Sequence, residues 1–402
     1  MELAVDIFNY ILSTILVGVS ITWILLIRSM WISFRDSPYL DKFTAISHQK
    51  PKVSIILPAR NEEAFIEKCL SSLLDQDYEN YEIIAIDDHS EDKTGQIIRN
   101  FAEKNSKIIP VTAEPKPEEW TGKNWACFEG FKRSTGELLL FTDADTRQSK
   151  KMISLSVSHL LSENLDALTA MPRMLCLDLW TRITLPMLST FLHTRFSALR
   201  VNDPSKRTGY FFGSFFIIKR KTYETVGTHE GVKRELVEDG ALGKKVKESG
   251  FKMKMVRAEH LFEAVWARDL PTLWHALKRL IIPLYLQNKK IAVGIFFAVL
   301  FLLFMPFPIL AYSIPFAIFS MSFSLLFLIS TITVGLLYTA VILESKKGLG
   351  LSIIHALLGP IGSFMIVLGF ASGILQAKSS RALMWRGRAY SMTNQIQNAI
   401  NV

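Results

Sequence analysis

Cysteine is scarce in this chain. Cys69, Cys127 and Cys176 stand far apart, with no Cys-x-x-Cys pair. That excludes a disulfide framework and a thiolate zinc site, and it fits a reducing compartment. His89, His229, His260 and His275 are scattered, with no pair at ligand spacing, and they read as surface or boundary residues. Internal repeats and low-complexity linkers are missing. So is a basic face interleaved with aromatic residues, which argues against nucleic acid as a partner. The most informative absence is of charge. Residues 7–27 and 291–342 contain no charged side chain, and 348–377 contain only His355 as an ionisable group.

A bilayer core takes about 20 apolar residues to cross as a helix. The first uncharged stretch fits one span, and residues 1–30 are expected to form an anchor. Glu2 and Asp6 stand where a signal peptide carries basic residues, and no small-residue cleavage site follows, so the anchor is expected to stay uncleaved. Arg28 and Arg35 follow the run and put the next domain on the cytoplasmic side of the cell membrane. Residues 291–377 predict two to three further spans. Three would leave the basic tail, 378–402, on the outside. A re-entrant segment avoids that, and 348–377 with Gly359-Pro360 is the best candidate. The net charge of +9 gathers beside these stretches, at Lys278, Arg279, Lys289, Lys290, Lys378, Arg381, Arg386 and Arg388, as expected for contact with lipid headgroups. Residues 268–290 mix apolar and basic groups in the manner of an interfacial helix.

Between the apolar regions, residues 50–265 read as one α/β domain. Lys52 to Pro58, Tyr81 to Asp87, 107–112 and Glu137 to Thr142 are short apolar runs separated by helical patterns. Strands alternating with helices predict a mostly parallel sheet covered on both faces. Ligands of such sheets bind beyond the carboxyl ends of the strands. A further strand is expected over 211–218, and a helix from Glu238 to a closing Gly250.

The strand ends carry the chemistry. Asp143 and Asp145, one residue apart after the fourth run, can approach a single Mg²⁺ or Mn²⁺, although Asp-x-Asp alone fits a turn or a helix cap equally well. Asp87 and Asp88 end the second run and can accept hydrogen bonds from a base or ribose, or cap a helix. Glu238 and Asp239 open a helix, where the dipole favours acids in any protein. A general base for an acceptor hydroxyl is the functional reading. Lys123, in Trp120-Thr-Gly-Lys-Asn-Trp125, suits a phosphate or plain solvent.

The set decides more than its members do. Pro58-Ala-Arg-Asn-Glu62, Asp87-Asp88-His-Ser90, Trp120-Thr-Gly-Lys123, Asp143-Ala-Asp145, Gly213 in Phe-Phe-Gly-Ser-Phe and Glu238-Asp239 occur in that order. The pattern resembles family-2 glycosyltransferases of the GT-A fold over residues 52–260. Glu119-Trp-Thr-Gly-Lys-Asn-Trp-Ala126 and Trp385-Arg-Gly-Arg-Ala-Tyr390 resemble the branch linked to hopanoid and carotenoid-type lipid glycosylation. The resemblance implies a Rossmann-like GT-A catalytic domain with N- and C-terminal transmembrane helices. It implies inverting transfer from a nucleotide-sugar donor, commonly a uridine diphosphate sugar, to a membrane lipid acceptor. Pro58, Arg60, Glu62 and Asp88 would line the nucleotide pocket, with Asp88 at the base. Lys123 would approach the donor phosphate, Asp143 and Asp145 the metal-diphosphate. Asp239 would be the catalytic base, with Glu238 supporting it.

The Gln-x-x-Arg-Trp string of polymerising members is missing. Arg268, Trp274, Lys278 and Arg279 stand in that region instead, so a single transfer is expected rather than polymer synthesis. Transfer to a polyprenyl phosphate, a catalytically silent scaffold and a small transporter are the competing readings. The apolar segments 173–200 and 271–287 are expected to form the access face for a lipid acceptor.

Overall fold

A computed structural model describes residues 2–43, 49–379, 383–385 and 388–390. Arg381, Arg386 and residues 391–402 of the expected basic tail lie outside the described residues. The chain divides into two compact units. Residues 37–175 and 198–266, with the described tail residues, form an α/β unit. Residues up to 36, 176–197 and 267–379 form a helical unit.

The chain opens with α1 (Glu2–Asp36), longer than the anchor needs. It then alternates through β1 (Val53–Ala59), α2 (Ile66–Leu74), β2 (Tyr81–Asp87), α3 (Thr94–Lys104), β3 (Ile108–Thr112), α4 (Gly122–Arg133) and β4 (Leu138–Phe141). Next come β5 (Thr146–Gln148), α5 (Met152–Ser162), β6 (Ala167–Met171), β7 (Arg173–Cys176), α6 (Leu179–Phe196) and α7 (Ala198–Asn202). β8 (Phe216–Lys219), α8 (Arg220–Thr225), α9 (Glu238–Glu248), β9 (Met253–Arg257) and β10 (Phe262–Ala267) complete the α/β part. The helices α10 (Leu270–Gln287), α11 (Lys289–Val299), α12 (Pro306–Ser313), α13 (Met321–Glu344), α14 (Ile353–Leu357) and α15 (Gly359–Lys378) follow. A hairpin of β11 (Leu383–Trp385) and β12 (Arg388–Tyr390) ends the described chain.

The main sheet runs β3-β2-β1-β4-β8-β6-β9. β1 pairs in parallel with β2 and β4, and β2 with β3. β8 is antiparallel to both β4 and β6. Successive side chains of a strand point to opposite faces. Ile55 and Leu57 enter one core cluster and Ile56 the other, all fully buried. Burial on both faces is why these strands read as unbroken apolar runs. The strand expected over 211–218 is shorter. Phe212 and Phe215 form an isolated bridge around a turn at Gly213-Ser214, and regular pairing starts only at Phe216. Gly250 closes α9 with φ +80°, as expected.

In the helical unit α1 and α13 pack side by side and run in the same direction. Asn9 Nδ2 donates to Ser322 Oγ (3.1 Å), and Ser20 and Thr333 share a hydroxyl bond (2.7 Å), both pairs 313 residues apart. Met305 N donates to Leu300 O (2.8 Å), and Pro306, which has no N–H to give, follows. There the helix from Lys289 to Phe304 bends by 46° into Pro306–Phe316. Three other helices, Glu2–Asp36, Met321–Leu349 and Gly359–Lys378, are long and apolar enough to cross a membrane. α15 packs on α6 and α10. A Cβ on Gly373 would come 2.5 Å from Ile281 Cγ2, so the glycine sets the closeness of α10 and α15.

Candidate active site

The loops after β1 and β2 are stitched together. Arg60 Nη1 donates to the carbonyl oxygens of Asp88 (2.6 Å) and His89 (2.7 Å), and Asn61 Oδ1 accepts from Glu91 N (2.9 Å). Asn61 and His89 both have positive φ, 54° and 53°. Such a conformation is uncommon outside glycine, and asparagine and histidine are among the residues enriched in it. Glu62 is buried, its amide donating to Thr94 Oγ1 (2.7 Å). Pro58 lies within β1, opposite Ile86. Asp88 is 4% exposed and does not cap a helix. Arg388 of β12 meets its carboxylate with two hydrogen bonds, of 2.5 and 2.8 Å. Burial pushes the Asp88 carboxyl up, with Arg388 the strongest opposing influence.

Asp143 and Asp145 sit just past β4. Thr146 Oγ1 donates to Asp143 O (2.9 Å), and Thr142 Oγ1 donates to Ser214 O (2.8 Å) while accepting from Gln148 Nε2 (3.1 Å). These bonds fasten the Asp-Ala-Asp turn to the loop before β8. Lys123 stands on the first turn of α4 rather than on a free loop, with Thr121 capping that helix. Asn124 Nδ2 donates to Val232 O (2.7 Å) and Glu235 O (3.1 Å), which ties α4 to the approach to α9.

The result is one compact charge cluster. Lys123 Nζ lies 2.8 Å from Asp143 Oδ1 and 2.7 Å from Glu238 Oε1. Asp239 does not cap α9; that position belongs to Val237, without a side-chain bond. Its Oδ2 accepts from Gly213 N (2.8 Å) and its Oδ1 from Gly240 N (2.7 Å). Burial pulls the Lys123 ammonium down, but Asp143, Glu238 and Asp239 more than offset that and hold it well above the ordinary lysine value. Burial and the Glu238 charge push Asp239 up to about 7. A carboxyl so tuned is suited to proton transfer at neutral pH.

Asp143, Glu238 and Asp239 thus share one ammonium, and this surplus of negative oxygen donors fits a hard divalent cation. Among the described residues no three His, Cys, Asp or Glu side chains form a protein-only cage. Mg²⁺ is commonly held by one or two carboxylates together with substrate phosphates. Asp143 and Asp145 would be those ligands.

His229 differs from its expected surface position. It is 1% exposed, its Nδ1 lies 2.6 Å from Tyr223 Oη, and burial and the Lys123 charge lower it to about 3. It is a neutral core residue packed against Phe141. All three cysteines are free and buried. Arg268, Trp274, Lys278 and Arg279 belong to the helical unit, where Lys278 Nζ donates to Gln376 Oε1 (3.3 Å).

Two contributions escaped the sequence reading. The role of Gly213 is a backbone amide, which no residue type announces. Ser189, His193 and Glu344 meet in the helical unit, with Ser189 Oγ donating to Glu344 Oε1 (2.6 Å) and His193 Nδ1 3.2 Å from Oε2. Their positions in sequence, about 150 residues apart, give no signal of it.

Known proteins are similar to this chain over part or most of its length. The probable glycosyltransferase YdaM of Bacillus subtilis is 31% identical over 156 residues, 37% of each chain. The 4,4'-diaponeurosporenoate glycosyltransferase of Staphylococcus haemolyticus is 27% identical over 209 residues, 48% of this chain and 50% of that protein. The chain therefore spans half or less of the length of these relatives. In fold it is similar to a mannosyltransferase of Pyrobaculum calidifontis solved with GDP-Man and Mn²⁺. That likeness has a TM-score of 0.53 and 18% identity, over 90% of this chain and 99% of the other. Residues 54–227 match the Glycosyl transferase family 2 profile, so the α/β unit carries a family-2 glycosyltransferase domain of the GT-A type.

Proposed function

We propose that the protein transfers a sugar from a nucleotide-diphosphate sugar, in first place a uridine diphosphate sugar, to a hydroxyl of a membrane lipid, with inversion. The observation that carries this reading is the junction of Asp143, Lys123, Glu238 and Asp239 at the carboxyl end of β4. Asp239 takes the proton of the acceptor hydroxyl. The oxygen then attacks the anomeric carbon, and the bond to the diphosphate breaks with its electron pair on the leaving oxygen. Lys123 lies beside that developing charge, and Glu238 holds Lys123. A divalent ion bound at Asp143 and Asp145 would neutralise the leaving diphosphate. Pro58, Arg60, Glu62 and Asp88 form the nucleotide end, with Asp88 facing the base. The relative named for a carotenoid-type acceptor supports a lipid acceptor here.

Helix direction supports one membrane layout. α1 and α13 run parallel, so both cross the same way, and the bent α11–α12 pair is the return span between them. The chain leaves the α/β unit at Trp266 and meets it again at Arg388. Two crossings in between fit the reading of α15 as a re-entrant or interfacial helix rather than a further span. Arg28 and Arg35 near the end of α1 put that side in the cytoplasm. α15 rests on α6 and α10, and Leu177, Leu179 and Trp180, before and at the start of α6, are exposed. This apolar platform is suited to a lipid acceptor.

The test is transfer of labelled sugar from UDP-glucose and a donor panel into membrane lipid, with Mg²⁺, Mn²⁺ or chelator, and with Asp239→Asn in parallel. Metal-dependent label lost in the mutant by about 10²- to 10⁴-fold is expected. Folded protein that labels no lipid from any donor would refute the reading.

A further inference from the structure

Residues exactly three hundred positions apart meet at the nucleotide end of the site: Arg388 Nη1 reaches Asp88 Oδ2 and Nη2 reaches Oδ1. Both side chains are mostly shielded, 18% and 5% exposed. Asp88 is held from the other side too, its amide donating to Ala59 O (2.9 Å) and its carbonyl accepting from Arg60. The two-bond fork fixes the plane of the carboxylate, which a point charge such as lysine cannot do. An ionised carboxylate offers about four acceptor sites. The fork takes two, and two stay available to a ligand.

We propose that Arg388 is a positioning residue of the donor site: from near the end of the chain it holds the Asp88 carboxylate in one plane as an acceptor, so that Asp88 selects a base presenting a ring N–H. Uracil and guanine present such a donor. Cytosine and adenine present a lone pair at the corresponding ring nitrogen, which a carboxylate repels. Burial alone would favour a protonated Asp88, able to donate as well as accept and so to tolerate either kind of base. Arg388 opposes that. The inference rests on the nucleotide-sugar reading above.

The experiment is equilibrium binding of UDP, GDP, CDP and ADP, with Mn²⁺, to the full chain in detergent. Wild type is compared with Arg388→Ala, Arg388→Lys and Asp88→Asn, and far-UV circular dichroism checks folding. Wild type is expected to prefer UDP or GDP. Arg388→Ala should weaken the preferred diphosphate by about 10- to 100-fold, the scale of a charge-assisted hydrogen bond, and narrow its margin over CDP and ADP to that of Asp88→Asn. Arg388→Lys should fall between. Equal loss for all four nucleotides would mean a merely structural role and overturn the inference. So would unchanged affinity, or tighter binding, which would make the tail a strap that blocks the pocket. If folded wild type binds none of the four, the nucleotide reading itself fails and this inference with it.

Discussion

The backbone amide of Gly213 donates to Oδ2 of Asp239 at 2.8 Å, across 26 residues of sequence. A Cβ at position 213 would stand 2.7 Å from that oxygen and 3.0 Å from Lys123 Nζ. Gly213→Ala must therefore displace the Asp239 carboxylate or the neighbouring Lys123 ammonium. Transfer should drop by about 100-fold, as for a misplacement of roughly an ångström. The main sheet should persist, and kcat measured beside circular dichroism checks both.

Lys123 pairs with Asp143 and Glu238 together. Lys123→Met leaves two carboxylates facing each other beside Asp239. Transfer should fall by about 10²- to 10³-fold, the cost of losing a charge stabiliser at a reacting centre. Lys123→Arg should retain part of the activity if charge is what matters. Transfer rates at saturating donor decide it, and a rate near wild type for the methionine variant would remove Lys123 from the chemistry.

Parallel packing of α1 and α13 predicts which loops face which side. Ile318 and Ile354 are 89% and 70% exposed and lie on either side of α13. In sealed vesicles Ile318→Cys should react from the face opposite the catalytic unit, and Ile354→Cys from the catalytic face. Reaction of Ile354→Cys from the opposite face would make α15 a true span.

Glu82 has its own pH dependence. Burial pushes it up, but Lys52, Ser54 and Thr135 pull harder and hold it at about 2 against an ordinary 4.5. A depressed carboxyl contributes stability above its unfolded value, and that contribution is lost as pH falls from about 4.5 toward about 2. Glu82→Gln should be less stable than wild type near neutrality and lose less on acidification. Denaturation followed by tryptophan fluorescence at several pH values measures the difference.

Lys278 and Arg279 lie on α10, which packs against α15. Reversing both charges should lower transfer to membrane-embedded acceptors by about 30-fold or more, from roughly 1 kcal/mol lost per basic residue near anionic lipid. Transfer to a short detergent-dispersed acceptor should change little. Equal activity on both acceptors would separate these residues from the membrane surface.

The apolar runs at 53–58 and 81–87 and the carboxylates at their ends were legible because a strand buried on both faces has a composition no loop shares. The helix beginning at Glu238 was equally legible. Which acid does what was not. Asp239 at a helix start satisfies the dipole in any protein, and only the tertiary structure brings the Gly213 amide to its carboxylate. His229 shows the reverse, since nothing in its neighbourhood of sequence says that Tyr223 and Phe141 enclose it.

By itself the sequence determined the alternation of strands and helices, the uncharged stretches and the ordered set of acids, because these depend on local periodicity and residue type. Tertiary structure decided that Lys123 serves Asp143 and Glu238 at once, that Arg388 reaches back to Asp88, and that α13 runs beside α1. Each of these joins residues more than a dozen positions apart, and one as many as 313. Such distances are closed only by chain packing, which no local pattern encodes.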